Sequence, residues 1–398
     1  MSNSIKLRFL ILASMLFSIS CTSEKEPKPD LSSIPTEIRQ LENLTVIDNE
    51  PEYTISIADS QDYGEMYIPS VPPAPVRAFG PKNFVDRDGN VFRYDQNDVV
   101  IKKYSSDGEL LGSIGRNGRG PGEFVRVASM QVVDDQLMVY DADLMRVSFF
   151  DTESRELIKS FQLEYESWNI EYAKYLFPRT LTKIGDEGYL VSVMTEKKEN
   201  LRYSAYYLMN ENSQIISDKV VETQNIATHS GRTKMGHNAG ISLPFSQKGE
   251  IAVSRLSKVY HINTEEFLIK KYDIEGEIER AFYMPFKKDP LEEQEVLDQY
   301  HPNMHPVFDD VDYPETWPAL DQILVDDENR MWVSTIVDDH SIYKWHVISD
   351  EGELLATLDW PREKEPISIR NGKIYTEFFD REGGMRVLTG YDFQMVKK

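Results

Sequence analysis

An all-β fold is what this sequence predicts: a six-bladed β-propeller of four-stranded antiparallel blades, with a short helical insertion between blades 4 and 5. Three observations predict it. Apolar runs of strand length are separated by Asp-Gly, Asp-Asp and Asp-Ala turn signals, which reads as a succession of hairpins. The pattern recurs six times, and no helical period competes with it along Tyr104 to Phe150, where it is clearest. Units repeated at this spacing imply stacking, because a lone four-stranded sheet cannot bury both of its faces.

Each unit reads as a turn with a short inner strand, a second hairpin and an outer strand. The first covers residues 86–95, 99–104 and 108–114, and the second 134–141, 147–151 and 157–161. A more diverged third covers 185–192, 204–209 and 215–220, and the fourth 248–253, 258–262 and 267–272. The fifth covers 326–334, 343–348 and 352–358, and the last 370–376 and 385–391. Because the last unit is short of a strand, the ring is expected to close by borrowing one from residues 53–57 or 76–79, which removes exposed sheet edges. Between the fourth and fifth units, residues 289–300 carry a Pro at a first helical turn, acidic residues after it, and Leu291, Val296 and Leu297; this is the expected helix.

The amino terminus differs from the rest. Lys6 and Arg8 precede an apolar run too short to span a bilayer, and a small-residue run leads to Cys21, the only cysteine. A disulfide within the chain is therefore impossible. The layout resembles a bacterial lipoprotein signal, in which cleavage before the cysteine lets it carry fatty acyl chains. The expected organisation is a signal over 1–20, a lipidated Cys21 with a flexible tether over 21–50, and a propeller over 51–398. The charged, Pro-bearing stretch after Cys21 also resembles tracts of surface-exported lipoproteins of Bacteroidetes-type bacteria. An outer-membrane lipoprotein, periplasmic or surface-exposed, is the expected address. The formal net charge of −23 argues against binding nucleic acid, or a membrane through a basic face, so the lipid would do the anchoring.

The loop 115–124 (Gly-Arg-Asn-Gly-Arg-Gly-Pro-Gly-Glu-Phe), with Asp141 and Phe149-Phe150-Asp151, resembles the linker between blades of NHL-type six-bladed propellers. The stretch 313–333 is similar to a later-blade segment of six-bladed propeller lipoproteins of Bacteroidetes. The resemblance implies an architecture, since functions on one fold differ by their grafted sites.

Candidate site residues follow from residue chemistry. Arg116 and Arg119 suit a carboxylate or phosphate, although pairing with Glu123 at the blade junction explains the loop better. His229, Arg232 and His237 lie in a polar stretch that would reach over the central channel, and Tyr313 and Trp317 are candidates for an exposed aromatic platform. His301 and His305 have metal-like spacing, but Pro302 and Pro306 interrupt the helix that would give it meaning, so no metal site is expected. The turn aspartates, Asp86, Asp134 and Asp326 among them, are explained by turn chemistry without calcium. No catalytic set, cofactor fingerprint or phosphate-binding loop is present. The expected function is a non-enzymatic module binding an unknown protein or small-molecule ligand on one face. The alternative is a propeller lyase or hydrolase with a divalent metal at the central channel, which predicts imidazoles from His229, His237, His261, His301 and His305 meeting carboxylates at its mouth.

Overall fold

Tight turns and strand-length apolar runs fold this chain into radial sheets, each too small to bury both faces without its neighbours. The structure, a computed structural model, describes residues 34–67, 83–170, 177–185, 188–196, 201–380 and 384–398. A short helix α1 (Thr36–Arg39), β1 (Leu44–Val46) and the long β2 (Tyr53–Tyr67) come first. Blade 1 is β3 (Asn83–Val85), β4 (Val91–Asp95), β5 (Val100–Tyr104) and β6 (Leu110–Ile114). Blade 2 is β7 (Val127–Val133), β8 (Gln136–Asp141), β9 (Arg146–Asp151) and β10 (Leu157–Gln162). Blade 3 is β11 (Pro178–Ile184), β12 (Gly188–Glu196), β13 (Arg202–Asn210) and β14 (Ile215–Gln224). A separate hairpin, β15 (Thr228–Arg232) and β16 (Asn238–Ser242), precedes blade 4, which is β17 (Gly249–Val253), β18 (Val259–Asn263), β19 (Leu268–Tyr272) and β20 (Ile278–Tyr283). The insertion that follows holds α2 (Glu293–Leu297) and a 3-10 turn, His305–Phe308. Blade 5 is β21 (Leu320–Val325), β22 (Met331–Ile336), β23 (Ile342–Ile348) and β24 (Leu354–Pro361). In blade 6, β25 (Glu365–Arg370), β26 (Lys373–Asp380) and β27 (Met385–Lys397) are completed by β2 on the outside.

The protein is thus a six-bladed propeller of four-stranded antiparallel blades, as the sequence predicts. Of the two strands expected to close it, the first does so: β2 runs antiparallel to β27 from Tyr53 opposite Lys397 to Tyr67 opposite Met385. Residues 76–79 lie outside the described residues. The helix of the insertion is shorter than expected. Pro290 sits before it, in a bridge to Thr316, and Glu292 caps it through a reciprocal pair of hydrogen bonds with Glu295.

Two further expectations need correction. The strand after each Asp-Gly-type turn is the second of its blade, not the innermost. The innermost strand precedes the turn, and the sequence reading was out of phase by one strand in blades 1, 2, 3, 5 and 6. Inner strands border a polar channel and several carry a bulge, so β11 shows burial at every third residue (Pro178, Leu181, Ile184) and the two-residue alternation is lost. The tether expected over 21–50 also ends early. From Ile34 the chain packs on blade 4, where Ile34 and Ile38 meet Tyr283 and β1 pairs parallel to β20 as a fifth strand.

Each blade interface has its own apolar cluster. Met138, Tyr140 and Tyr189 join blades 2 and 3, for example, and Trp332, Trp345 and Phe393 join blades 5 and 6. The turn aspartates act as turn formers. Asp86 Oδ1 accepts the backbone N–H groups of Asp88 and Asn90, and Asp326 Oδ1 accepts those of Glu328 and Arg330. Asp326 Oδ2 also takes the Trp332 indole N–H at 2.8 Å, fixing a buried ring of blade 5 to its own turn.

The closing strand is anchored by Tyr63, which is fully buried, lies 5.7 Å from the Tyr375 ring and donates its hydroxyl to the Ser106 carbonyl of blade 1 at 2.9 Å. Gly390 makes room for it, since a Cβ there would meet the Tyr63 and Tyr375 rings at 3.1 and 3.2 Å. Tyr63→Ala is expected to lower stability by about 3–5 kcal/mol, read as a fall in the urea midpoint at unchanged m-value. Tyr63→Phe, which loses the hydrogen bond and keeps the ring, should cost about 1 kcal/mol in the same measurement.

Candidate functional site

The inner strands β3, β7, β11, β17, β21 and β25 line a central channel with a cavity volume of about 2200 Å³. All six begin at one rim, the upper one, where the blade-to-blade connections, the β15–β16 hairpin and the insertion also lie. The turns between first and second strands form the lower rim. Four of the inner strands carry a bulge near their start, at Ala128, Arg179, Asp321 and Ile367. A bulge turns one extra residue out of the ladder and re-aims its side chain. In blades 3 and 5 it is held by a serine of the second strand: the Thr180 N–H donates to Ser192 Oγ, and the Gln322 N–H to Ser334 Oγ, each at 3.0 Å. Arg179 and Asp321 are thereby delivered to the upper mouth, where both line the cavity.

Both signs of charge line this mouth. On the blade 3 side stand Arg179 and Arg202, with Arg126 behind them, itself paired to Asp143 at 2.7 Å. Burial, and then the neighbouring Arg126 and Arg202, hold the Arg179 guanidinium below its ordinary pKa. Between blades 4 and 5, Lys248 bridges Asp321 at 3.1 Å and Glu250 at 3.2 Å. The wall formed by the insertion, blade 5 and the start of blade 6 carries Glu295, Asp298, Asp338 and Glu365 among its lining residues, with the Arg362 guanidinium among them.

Within that wall Glu295, on α2, is the organising group. It accepts the Trp317 indole N–H at 3.0 Å and the Glu292 backbone N–H at 3.1 Å, and its other oxygen lies 3.8 Å from His340 Nε2. Burial opposes its ionisation, but these donors together hold its carboxyl below the usual range. The His340 ring stands edge-on to Trp317 at 5.1 Å. Burial, followed by the Arg362 charge, pushes the His340 imidazole down. His340 Nδ1 and Arg362 Nη2 are both buried without a protein partner. Asp289 is shifted the other way, raised by burial and by Asp338.

The structure disperses the residues singled out from sequence. Arg116 is exposed and bonded to Glu123 at 2.8 Å, and Glu123 also accepts the Gly120 N–H at 2.7 Å. The Arg119 carbonyl accepts from Arg146 at 3.1 Å. The loop is a blade junction, closed over by Phe124, whose ring lies where a Cβ on Gly115 (φ 72°) would be. Neither arginine lines the channel.

The β15–β16 hairpin contacts the 3-10 turn of the insertion. Thr228 and Ser242 at its base line the cavity, whereas Arg232 and His237 are exposed toward its tip and His229, half-buried, lies beside Ile241 off the channel. Tyr313 packs on Phe245 at 5.1 Å and Trp317 is only 1% exposed, so they form no open platform; Trp317 reaches the cavity only as part of its wall.

His301 Nδ1 accepts the Asn303 N–H and His305 Nε2 lies 3.2 Å from the Tyr300 carbonyl. His261 is half-buried within blade 4, and none of the five histidines proposed for the mouth lines it. Among the described residues no three His, Cys, Asp or Glu side chains converge to hold a metal ion. Cys21 lies outside the described residues. Arg179 and His340 were missed: Arg179 because its strand lacks alternation, and His340 because only the fold sets it beside Glu295, whose helix lies in the preceding insertion.

A six-bladed propeller whose inner-strand bulges and one insertion build a charged, water-accessible mouth is the class these features define. Residues 82–297 match the family model DUF5128, 6-bladed beta-propeller, and the chain belongs to that family. Among curated proteins no sequence match is found. Solved structures of similar fold include a protein of Bacteroides fragilis named as exported (13% identity, 89% of this chain and 100% of that one, TM-score 0.46). A DUF4221 family member from Bacteroides vulgatus (10%, 86% and 99%, TM-score 0.44) and virginiamycin B lyase from Staphylococcus aureus (12%, 83% and 99%, TM-score 0.37) are others. At these identities the likeness is one of fold.

Two histidines away from the mouth set a pH dependence. Burial, and then a nearby lysine, pushes both His261 and His346 down to about 4. In the unfolded chain each takes up a proton near pH 6.5, so between about pH 6.5 and 4 the unfolded state binds more protons. Stability from the neutral rings is present above that window and lost as pH falls through it. Urea unfolding should show a loss on the order of 2 kcal/mol per histidine from pH 7 to 5, and His346→Phe should remove its share.

Proposed function

We propose that this protein is a lipid-anchored cell-envelope propeller that binds a ligand, a small molecule or a short protein segment, in the upper mouth of its channel. The observation that carries the reading is the mouth itself: an open cavity of about 2200 Å³ whose charged side chains are aimed by bulges on the inner strands and by an inserted helix. Ligand sites are concave, largely preformed and furnished with a few placed polar groups. The Trp317–Glu295–His340 contacts supply such preformation on one side, and the Ser192-supported bulge supplies it on the other.

Attachment through Cys21 rests on the signal layout. No helix among the described residues is long and apolar enough to cross a membrane. Residues 22–33 would reach at most about 40 Å when extended, which sets how far blade 4 can stand from a lipid surface. An outer-membrane location, facing the periplasm or the exterior, suits such an anchor and the acidic body.

Two experiments test the reading. Cys21→Ala should move the protein from the membrane to the soluble fraction, and mass spectrometry of the mature wild-type chain should find acyl groups on Cys21. Recovery of an unmodified soluble wild-type chain would refute the anchor. For the mouth, a thermal-shift screen of small molecules and short peptides is run on wild type and on Thr182→Trp, which narrows the lumen at β11. Hits that stabilise wild type should lose their effect in the variant; equal stabilisation of both would place binding elsewhere.

A further inference from the structure

The upper end of blade 4 gathers three separate pieces of the chain. The β15–β16 hairpin leads into this blade from blade 3, the insertion leaves it toward blade 5, and residues 34–46 lie against its outer strand. Inner strands start at the upper rim, so in an antiparallel blade the fourth strand ends there, and Tyr283, the last residue of β20, stands at that rim. Ile34 and Ile38 pack on Tyr283. The chain arriving from Cys21 therefore joins the folded body on the same side as the hairpin.

In charge this hairpin is unlike the rest of the molecule. Asp and Glu number 67 of 398 residues, yet none occurs from Thr223 to Gly249, and Arg232, Lys234 and His237 are all exposed around the tip. Met235 at the turn is 74% exposed, more than any other large apolar side chain among the described residues. The turn itself is firmly held. The Thr233 N–H donates to the His237 carbonyl at 2.8 Å, the His237 N–H to Thr233 Oγ1 at 3.2 Å, and the Lys234 N–H to the Asn303 carbonyl of the insertion at 2.9 Å. Gly231 lies so close to Val307 that a Cβ on it would meet the Val307 backbone at 3.0 Å. The backbone of the tip is thus fixed, while the Arg232 and Lys234 side chains have no carboxylate partner among the described residues.

We propose that the tip of the β15–β16 hairpin rests on an anionic phospholipid surface, with Met235 entering the headgroup layer and Arg232 and Lys234 set against its phosphates. The inference rests on attachment through Cys21. Residues 22–33 reach at most about 40 Å when extended, so the upper end of blade 4, where they join, is the part of the body held nearest the lipid. Two cations and one apolar side chain bind a bilayer only weakly from free solution, but on a tethered chain the contact is intramolecular and a weak one suffices. Their sign suits an anionic surface, which attracts lysine and arginine within a Debye length. Elsewhere the net charge of −23 opposes such contact, and Asp309 and Asp310, exposed at the end of the neighbouring 3-10 turn, confine it to the tip. In this pose the upper mouth, lined by Thr228 and Ser242 at the base of the hairpin, opens toward the bilayer.

The test places an environment-sensitive fluorophore on Met235→Cys or, as a control, on Leu256→Cys, which is 61% exposed in the β17–β18 turn of the lower rim. Cys21 is the only native cysteine, so labelling is confined to the introduced one once Cys21 is acylated or replaced. Each labelled chain is held on phosphatidylcholine vesicles, with and without phosphatidylglycerol, in two ways: by its own acylated Cys21, and as Cys21→Ala by an amino-terminal polyhistidine tag on a nickel-chelating lipid. The Met235 probe should report an apolar environment on vesicles containing phosphatidylglycerol and be quenched by nitroxide-labelled lipid, while the Leu256 probe stays aqueous. Arg232→Gln combined with Lys234→Gln should weaken the contact by about tenfold or more and abolish its dependence on phosphatidylglycerol. The melting temperature should be unchanged, since neither side chain has a partner to lose. A Met235 probe that stays aqueous on both tethers, a Leu256 probe that responds as strongly, or a double variant that binds as well as its parent overturns the proposal and leaves the anchor standing. A Met235 response on the tag tether, with no acyl group found on wild-type Cys21, supports the lipid contact of the tip and refutes the anchor alone.

Discussion

The pairing of β2 with β27 is the constraint on which the rest of this structure depends. A propeller sheet buries its faces only against adjacent sheets, so every blade interface presupposes a closed ring. Here the ring is closed by a strand from the beginning of the chain laid along its last strand, with Tyr53 opposite Lys397. Two irregularities along the pair let so long a strand follow the twist of blade 6. Tyr63 couples this closure to blade 1 through its ring and its hydroxyl, so the first and last blades are held at the seam by packing and by a hydrogen bond at once.

Closure also decides what the channel can be. With six sheets the inner strands stand far enough apart to leave a cavity, and their channel-facing residues need not be apolar. That freedom shows in the bulges: the same irregularity near the start of the inner strand carries Ala128, Arg179, Asp321 and Ile367 in blades 2, 3, 5 and 6. One backbone device therefore delivers three different chemistries to the cavity, through Arg179, Asp321 and Ile367, while Ala128 turns into the core between blades 2 and 3. The insertion adds another, since a helix of five residues is enough to bring Glu295 beneath Trp317 and beside His340.

The acidic composition sharpens these local arrangements. Charges scattered over the outer surface are screened within about 10 Å, whereas half-buried groups at the mouth act on one another directly. Lys248 shared between Asp321 and Glu250, Glu295 held by three neighbours, and the crowded arginines of blade 3 each settle a local charge in a different way. The outcome is a mouth lined by both signs of charge on a molecule that is negative overall.

Much of the fold was legible in the amino-acid order because the second strands of blades 1, 2 and 5 are buried on both faces and flanked by turns: Val91, Phe92 and Tyr94, or Met331, Trp332 and Val333, announce themselves beside Asp86 and Asp326. Blade number, the helix in the insertion and the structural role of the Arg116–Glu123 loop follow from such local rules. The inner strands did not announce themselves, because a channel face permits polar residues and a bulge breaks the period of two; Pro178 to Ile184 therefore passed unread. Nor did the site. Arg179 and Arg202, or Glu295 and His340, lie on strands, helix and loops whose approach is fixed only when separate elements are brought to one rim. Sequence determined the modules and their count, since these rest on burial pattern and turn chemistry within a few residues. Tertiary structure alone decided which charges share the mouth, since that depends on ring closure between residues more than 300 positions apart.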